Sequence, residues 1–141
     1  MRRSAALALP ALVALAACRP AGPEAQVRAA FETCRKAVEA GDAAGATELL
    51  DPAFRGPEDM DRGAARLFLM GVFRREKVGV TVLRNDVAVR GGEARQEVEL
   101  VLTGGSGGLL PRDASRRIFQ LRWRKSGGDW RLVSLEGDAS T

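Results

Sequence analysis

The spacing of apolar residues changes from a helical to a strand period about halfway along the chain. Near the start, apolar residues recur at intervals of four, three and four positions over residues 24–40. This spacing predicts an amphipathic helix. Beyond Lys77 the apolar residues alternate with polar ones, which is typical of strands. The residues of the first helical stripe are Val27, Phe31, Cys34 and Val38.

Two further helices are predicted before the change of period. Gly41 ends the first helix, and Asp42 is a suitable N-cap for a short second helix that stops before Pro52. The third helix is predicted to begin at about Pro57 and to continue through RGAARLFLMGVFRR. Its apolar residues cover a wide sector, so we expect this helix to be largely buried.

The strand region predicts four antiparallel strands. Val80 and Val82 alternate in one phase and Val87 and Val89 in the other, which indicates a bulge near residues 84–86. The paired glycines in RGGE and SGGD predict hairpin turns, and residues 103–115 predict a loop. We therefore expect an α+β fold in which N-terminal helices pack on a curved antiparallel sheet.

The first 18 residues have the features of an export signal. Arg2 and Arg3 precede an apolar run that is too short to cross a bilayer as a helix. The sequence Leu-Ala-Ala-Cys that ends at Cys18 resembles the lipobox of bacterial lipoproteins, which implies that a lipid is attached to the Cys18 sulfur. An ordinary secretory signal or an N-terminal membrane anchor is the alternative. We expect this division: signal peptide 1–17, lipidated tether 18–23, folded domain 24–137 and tail 138–141.

A lipidated Cys18 implies a place in the bacterial cell envelope. Two or more acyl chains suffice for lasting attachment, so the partner at this end is membrane lipid. Arg19 follows Cys18, where many lipoproteins retained at the inner membrane of Gram-negative cells have aspartate. The expected location is therefore the outer membrane, facing the periplasm.

Composition excludes several classes of function. The net charge of +4 includes Arg2 and Arg3, and the remainder is close to neutral, so no nucleic-acid partner is predicted. The chain has no His and no Tyr, and Cys34 is the only thiol besides Cys18. No metal site and no cofactor is predicted, and Cys34 is expected in the core.

Three segments carry a resemblance to a known superfamily. They are the opening VRAAFETCRKAVEAGDAAGATELLDPAF, the helix before a long bent strand, and the closing FQLRWRKSGGDWRLVSLEG. Together these resemble the nuclear transport factor 2-like, or ketosteroid isomerase-like, superfamily over residues 24–137. The resemblance implies a cone-shaped α+β barrel with an apolar cup between sheet and helices. Enzymes of the superfamily use an Asp or Glu base in that cup, often with a Tyr or His.

Candidate site residues follow from that expectation. The best carboxylate candidates are Asp59, Asp61 and Asp86, but a helix start and a bulge explain them without catalysis, so we expect all three to be solvent-accessible and name no catalytic residue. The predicted lining of a pocket is Phe54, Phe68, Phe119 and Trp123. The predicted common core is Phe31, Cys34, Leu67, Phe119, Leu121 and Trp123.

Three functional hypotheses remain open from the sequence. The first is a lipid-anchored, non-enzymatic module that binds a small apolar ligand or assists an envelope protein. The second is a small isomerase or hydrolase that uses an Asp in the cone. The third is a structural envelope protein that forms a homodimer through its open sheet face.

Overall fold

The computed structural model describes residues 21–104 and 115–137. The predicted signal peptide, Cys18, most of the predicted 103–115 loop and the predicted tail at 138–141 lie outside the described residues. The elements follow in this order: α1 (Pro23–Glu39), α2 (Ala43–Thr47), β1 (Leu50–Arg55), a single 3₁₀ turn (Pro57–Asp59), α3 (Arg62–Arg75), β2 (Gly79–Arg90), β3 (Glu93–Thr103), β4 (Ser115–Ser126) and β5 (Asp129–Gly137).

The predicted α+β class is confirmed, with one strand more than expected. The described sheet has five strands in the order β1-β5-β4-β3-β2, and the four later strands pair antiparallel. β1 pairs parallel with β5, with Leu50 opposite Leu132. The prediction of four strands was wrong because β1 pairs with a strand about 80 residues away, and a local period cannot show such pairing. Pro52, predicted to follow a helix, lies inside β1.

Helix α1 packs along strand β2 and buries the first half of its predicted stripe, while Cys34 and Val38 are only partly buried. Val27 and Phe31 are buried in the core. Arg28 and Arg35 lie outside this stripe, and their guanidinium groups donate to the backbone carbonyls of Asn85 (3.2 Å) and Val80 (3.4 Å). The helix is therefore fastened to the sheet by apolar packing on one side and by charged hydrogen bonds on the other.

The turn between the first two helices has the predicted chemistry. Gly41 has φ of 70°, a conformation that favours glycine, and it follows the last turn of α1. The Asp42 carboxylate accepts a hydrogen bond from the backbone N–H of Gly45 at 3.0 Å, as an N-cap does.

Strand β2 contains the predicted bulge, one residue earlier than expected. Val82 pairs with Leu100 and Arg84 pairs with Glu99, so Leu83 is the extra residue. This insertion reverses the side-chain phase of the strand. As a result the valines on both sides of the bulge pack against the same core: Val80, Val82, Val87 and Val89.

The interior of the domain contains a short chain of polar groups. Trp123 Nε1 donates to Gln96 Oε1, and Gln96 Nε2 donates to Asn85 Oδ1, each at 2.8 Å. Gln96 and Trp123 are almost completely buried, at 1% and 2% exposure. Among the described residues, no buried side-chain nitrogen or oxygen lacks a partner. The space between α1 and the sheet is thus filled by matched groups.

Helix α3 differs from the prediction in its start and in its burial. It begins at Arg62, with the Asp61 side chain accepting from Ala64 N at 2.8 Å, because Glu58 and Asp59 in the preceding turn have positive φ angles. No residue of α3 is fully buried. The expectation of a largely buried helix was wrong because the apolar residues occupy both sides of α3, and only one side can face the sheet.

The predicted common core is correct in part. Phe31, Leu121 and Trp123 belong to it, and the partly buried Phe119 packs against it. Leu67 is 69% exposed on the outer side of α3, which corrects the prediction that placed it in the core. Cys34 is only partly buried and lies outside the core cluster.

Candidate functional site

Three of the four large apolar side chains that are exposed in the described structure lie on the outer side of α3, and the fourth is Leu83 on β2. Leu67 is 69% exposed, Phe68 58% and Met70 36%. These three residues, with Gly63, Ala64 and Gly71 between them, are called the α3 surface below. Apolar side chains of this size, grouped on one helix, usually mark a binding surface.

The charged residues of α3 are all basic. The segment Arg62–Arg75 has four arginines and no acidic residue: Arg62, Arg66, Arg74 and Arg75. The Arg62 guanidinium also reaches the backbone carbonyl of Leu50 at 3.5 Å, which ties α3 to β1. Acidic groups come only at the two flanks, at the N-cap Asp61 and at Glu76. The α3 surface is therefore apolar in the middle and positive around it.

Two shallow clefts adjoin the C-terminal half of α3. A cleft of about 430 Å³ lies between the end of α1 and residues Phe73 to Val78, and a second of about 360 Å³ lies between the start of α2 and Met70. Gly41, Phe73 and Arg74 line both. Each is open to solvent, so these clefts extend the α3 surface and do not form an enclosed chamber.

The three candidate carboxylates are solvent-accessible, as expected from the sequence. Asp59 is 87% exposed in the 3₁₀ turn, 3.4 Å from Arg55. Asp61 is the exposed N-cap of α3. Asp86 is 68% exposed on β2, 3.4 Å from Arg84. These side chains lie on separate elements, and none of them belongs to the core.

A fourth carboxylate, Asp51 on β1, is buried and was not singled out from the sequence. Its Oδ1 accepts from the backbone N–H of Ala53, and its Oδ2 accepts from Arg124, each at 2.8 Å. The Ala53 hydrogen bond, followed by Arg124, holds the pKa of Asp51 below its ordinary value. The Asp-Pro pair was the available signal, because such pairs favour turns in which the Asp side chain bonds two residues ahead. Asp51 is thus kept as a structural anion.

The residues predicted to line a pocket lie in different environments. Phe54 and Trp123 are buried in the core at 3% and 2% exposure, and Phe119 is partly buried beside it. Phe68 projects from α3 at 58% exposure. The two clefts described above are lined by other residues. That Phe54, Phe68, Phe119 and Trp123 line a pocket stays a prediction.

Cys34 is held as a neutral thiol. Burial, with a smaller contribution from the negative charge of Glu48, raises the pKa of Cys34 to about 11. At neutral pH the thiolate needed for nucleophilic chemistry is scarce. Within the described part of the chain, no group of three potential metal ligands comes together, and no helix combines the length and apolar character needed to span a bilayer.

The face of the sheet directed away from the helices carries ion pairs. Arg84 pairs with Glu97 and lies 3.4 Å from Asp86, so one guanidinium contacts two neighbouring carboxylates. Arg116 pairs with Glu99 further along the same face. This face is more polar than the α3 surface.

Comparison with known proteins identifies the fold. No protein-family model and no curated protein matches the sequence. Solved structures do match. An NTF2-like protein of unknown function from Pseudomonas putida KT2440 gives a TM-score of 0.71 at 14% identity, over 83% of this chain and 86% of that one. A protein provisionally named a dehydratase of the NTF2-like family, from Streptomyces avermitilis, gives a TM-score of 0.71 at 18% identity, over 84% of this chain and 96% of that one.

A third match agrees with these two. An NTF2-like protein from Cytophaga hutchinsonii gives a TM-score of 0.67 at 11% identity, over 85% of this chain and all of that one. The helices on a five-stranded mixed sheet define an α+β cone domain. The chain has the nuclear transport factor 2-like fold, as the resemblance implied.

Proposed function

We propose that this chain is a lipid-anchored protein of the bacterial envelope whose domain acts as a non-catalytic binding or accessory module. The observation that carries the proposal is the α3 surface, where Leu67 and Phe68 are more than half exposed. Leaving such side chains in water costs free energy that a bound partner recovers. The module is proposed to bind through this surface.

The state of the carboxylates supports binding over proton transfer. A general base in an apolar cup needs a pKa raised toward neutrality. The buried Asp51 has its pKa shifted downward by Ala53 N–H and Arg124, which is opposite to that requirement. Asp86, the candidate on the sheet, lies in solvent beside Arg84.

The proposed anchor is Cys18, on the basis of the lipobox-like sequence that ends there. Only residues 18–23 separate this cysteine from the domain. A fully extended chain of that length reaches at most about 20 Å. Acylation would therefore hold the domain close to a membrane.

The anchor is tested by metabolic labelling of the full chain with an alkyne fatty acid. Cys18→Ala is expected to abolish labelling and to leave the signal peptide uncleaved, while the matched control Cys34→Ala keeps both labelling and processing. Lipid label retained on Cys18→Ala would overturn the proposed anchor.

The binding role is tested by installing a photocrosslinking residue at Phe68 in the full chain in producing cells. The matched control carries the same residue at Ala88, which is exposed on strand β2. The proposal expects discrete adducts, identified by mass spectrometry as protein or lipid, at position 68 and few at position 88. Adducts only at position 88 would favour assembly through the sheet instead.

The enzyme alternative makes a different prediction for the same chain. It requires a carboxylate that titrates between about pH 6 and 7. An NMR titration of the Asp and Glu side-chain carboxyl signals tests this, and the buried Asp51 is expected to titrate below its ordinary range. A carboxylate that titrates at or above pH 6 would overturn the non-catalytic role.

A further inference from the structure

Helix α3 presents an apolar surface surrounded by positive charge, and this combination narrows the choice of partner. Leu67, Phe68 and Met70 project from the helix, while four arginines and no acidic residue lie between positions 62 and 75. Helices that lie in the headgroup region of a bilayer have this composition, with Leu and Phe in the acyl boundary and Arg at the headgroups.

The arginines of α3 that line the clefts are placed for phosphate groups. Arg66 lies beside Met70 in the smaller cleft, and Arg75 lies with Lys77 in the larger. Arg74 contributes to both. The acidic groups that face these clefts are Glu39, Asp42 and Glu76, and the Asp42 carboxylate is already engaged with Gly45 N–H. The two clefts thus carry four basic and three acidic side chains, and the charged residues of α3 itself are all basic.

We infer that the α3 surface lies on an anionic phospholipid bilayer, with Leu67, Phe68 and Met70 in the interface and the arginines at the lipid phosphates. The inference specifies the partner in the proposed binding role, and it does not depend on acylation of Cys18. Acylation of Cys18 would reinforce the docking, because the short stretch between Cys18 and α1 would then keep the domain within reach of a membrane surface.

The test places an environment-sensitive NBD fluorophore on Leu67→Cys in residues 19–141, which omit the apolar run before Cys18, with Cys34→Ala so that only one thiol remains. The control carries the probe on Ala88→Cys, an exposed position of β2. Vesicles contain phosphatidylcholine alone or with phosphatidylglycerol, and nitroxide lipids report immersion by quenching. We expect a blue shift and quenching at position 67 with phosphatidylglycerol, and neither at position 88.

The apolar and charged parts of the surface are tested separately by substitution. With the probe on Met70→Cys, Phe68→Ser is expected to raise the vesicle concentration that gives half of the maximal signal about tenfold. Arg66→Gln is expected to raise this concentration about fivefold in anionic vesicles, with no change in phosphatidylcholine vesicles. Both residues are exposed, so circular dichroism and the unfolding midpoint should not change.

Several results would overturn the inference. Equal probe signals at positions 67 and 88 would show that α3 does not dock on lipid. A blue shift at position 67 without vesicles, with a doubled mass in solution, would assign the surface to a second copy of the chain. Equal insertion with and without phosphatidylglycerol would remove the role of the arginines. Loss of lipid label on Cys18→Ala tests the anchor independently of these outcomes.

Discussion

Helices α1 and α3 each carry apolar residues and a phenylalanine near the middle, yet the two phenylalanines differ in their exposure to solvent. Phe31 of α1 is 8% exposed, and Phe68 of α3 is 58% exposed. α1 is held by core packing and by Arg28 and Arg35, whereas α3 is tied to β1 through Arg62. Apolar residues in a helical sequence therefore do not by themselves predict that all of them pack against the sheet.

The largest expected effect comes from truncating the two phenylalanines. Phe31→Ala is expected to lower the free energy of unfolding by about 3 to 5 kcal/mol, because it opens a cavity in the core. Phe68→Ala is expected to change it by less than about 0.5 kcal/mol, because the side chain is already in water. Denaturant unfolding of both variants measures this. Equal losses would show that the two helices are buried alike.

The next effect concerns β1, the strand beside α3, which is fastened by the ion pair of Asp51. Asp51→Asn is expected to cost about 1.5 to 3 kcal/mol at pH 7, since the hydrogen bonds it weakens involve charged groups. The folded-state pKa of Asp51 is below its unfolded value, so this stabilisation is complete above about pH 4 and is lost as the pH falls further. The difference in unfolding temperature between the wild type and Asp51→Asn should therefore shrink below pH 4.

Substitutions of Gln96 test the hydrogen bonds in the interior of the domain. Gln96→Leu is expected to cost about 1 to 3 kcal/mol, because Trp123 Nε1–H and Asn85 Oδ1 lose their buried partner. Gln96→Glu serves as a second variant, since its carboxylate can accept from Trp123 but cannot donate to Asn85. Unfolding measurements that find Gln96→Leu as stable as the wild type would contradict a matched polar interior.

The smallest expected effect concerns Cys34 of α1. Its pKa of about 11 in the folded state exceeds that of an unfolded thiol. The unfolded chain therefore releases the proton first, and stability should decline as pH rises from about 9 to 11. Cys34→Ala should remove this decline, and alkylation at pH 8 should be slower in the folded chain than in denaturant. Equal alkylation rates would show that α1 does not shield its side chain.

Much of the fold could be predicted because its signals are local. The Gly41 stop, the Asp42 cap and the reversal of valine phase around Leu83 each depend on a few neighbouring residues. Strand β1 could not be predicted, since its parallel partner β5 is distant in sequence and Pro52 resembles a helix end. Asp51 was missed for the same reason, because Arg124 reaches it only in the folded sheet.

The candidate site was the least predictable part. The sequence directed attention to carboxylates and to the interior of a cone, whereas the distinctive feature is the outer side of α3. In the sequence, Leu67 and Phe68 cannot be told from apolar residues of the core. In the folded domain Ala65 packs toward the core, and Leu67 and Phe68 face outward. When apolar residues lie on all sides of a helix, their spacing does not predict which side is exposed.

The arginines of α1 have a consequence for how copies of this protein can associate. An open strand at the margin of a sheet offers unpaired backbone groups to another chain, which is the usual route to strand addition and fibrils. Arg28 and Arg35 occupy the carbonyls of Asn85 and Val80 on the marginal strand β2. The opposite margin, β1, is only six residues long and contains Pro52, which has no N–H to donate. Both margins thus resist edge-to-edge polymerisation between copies of this chain.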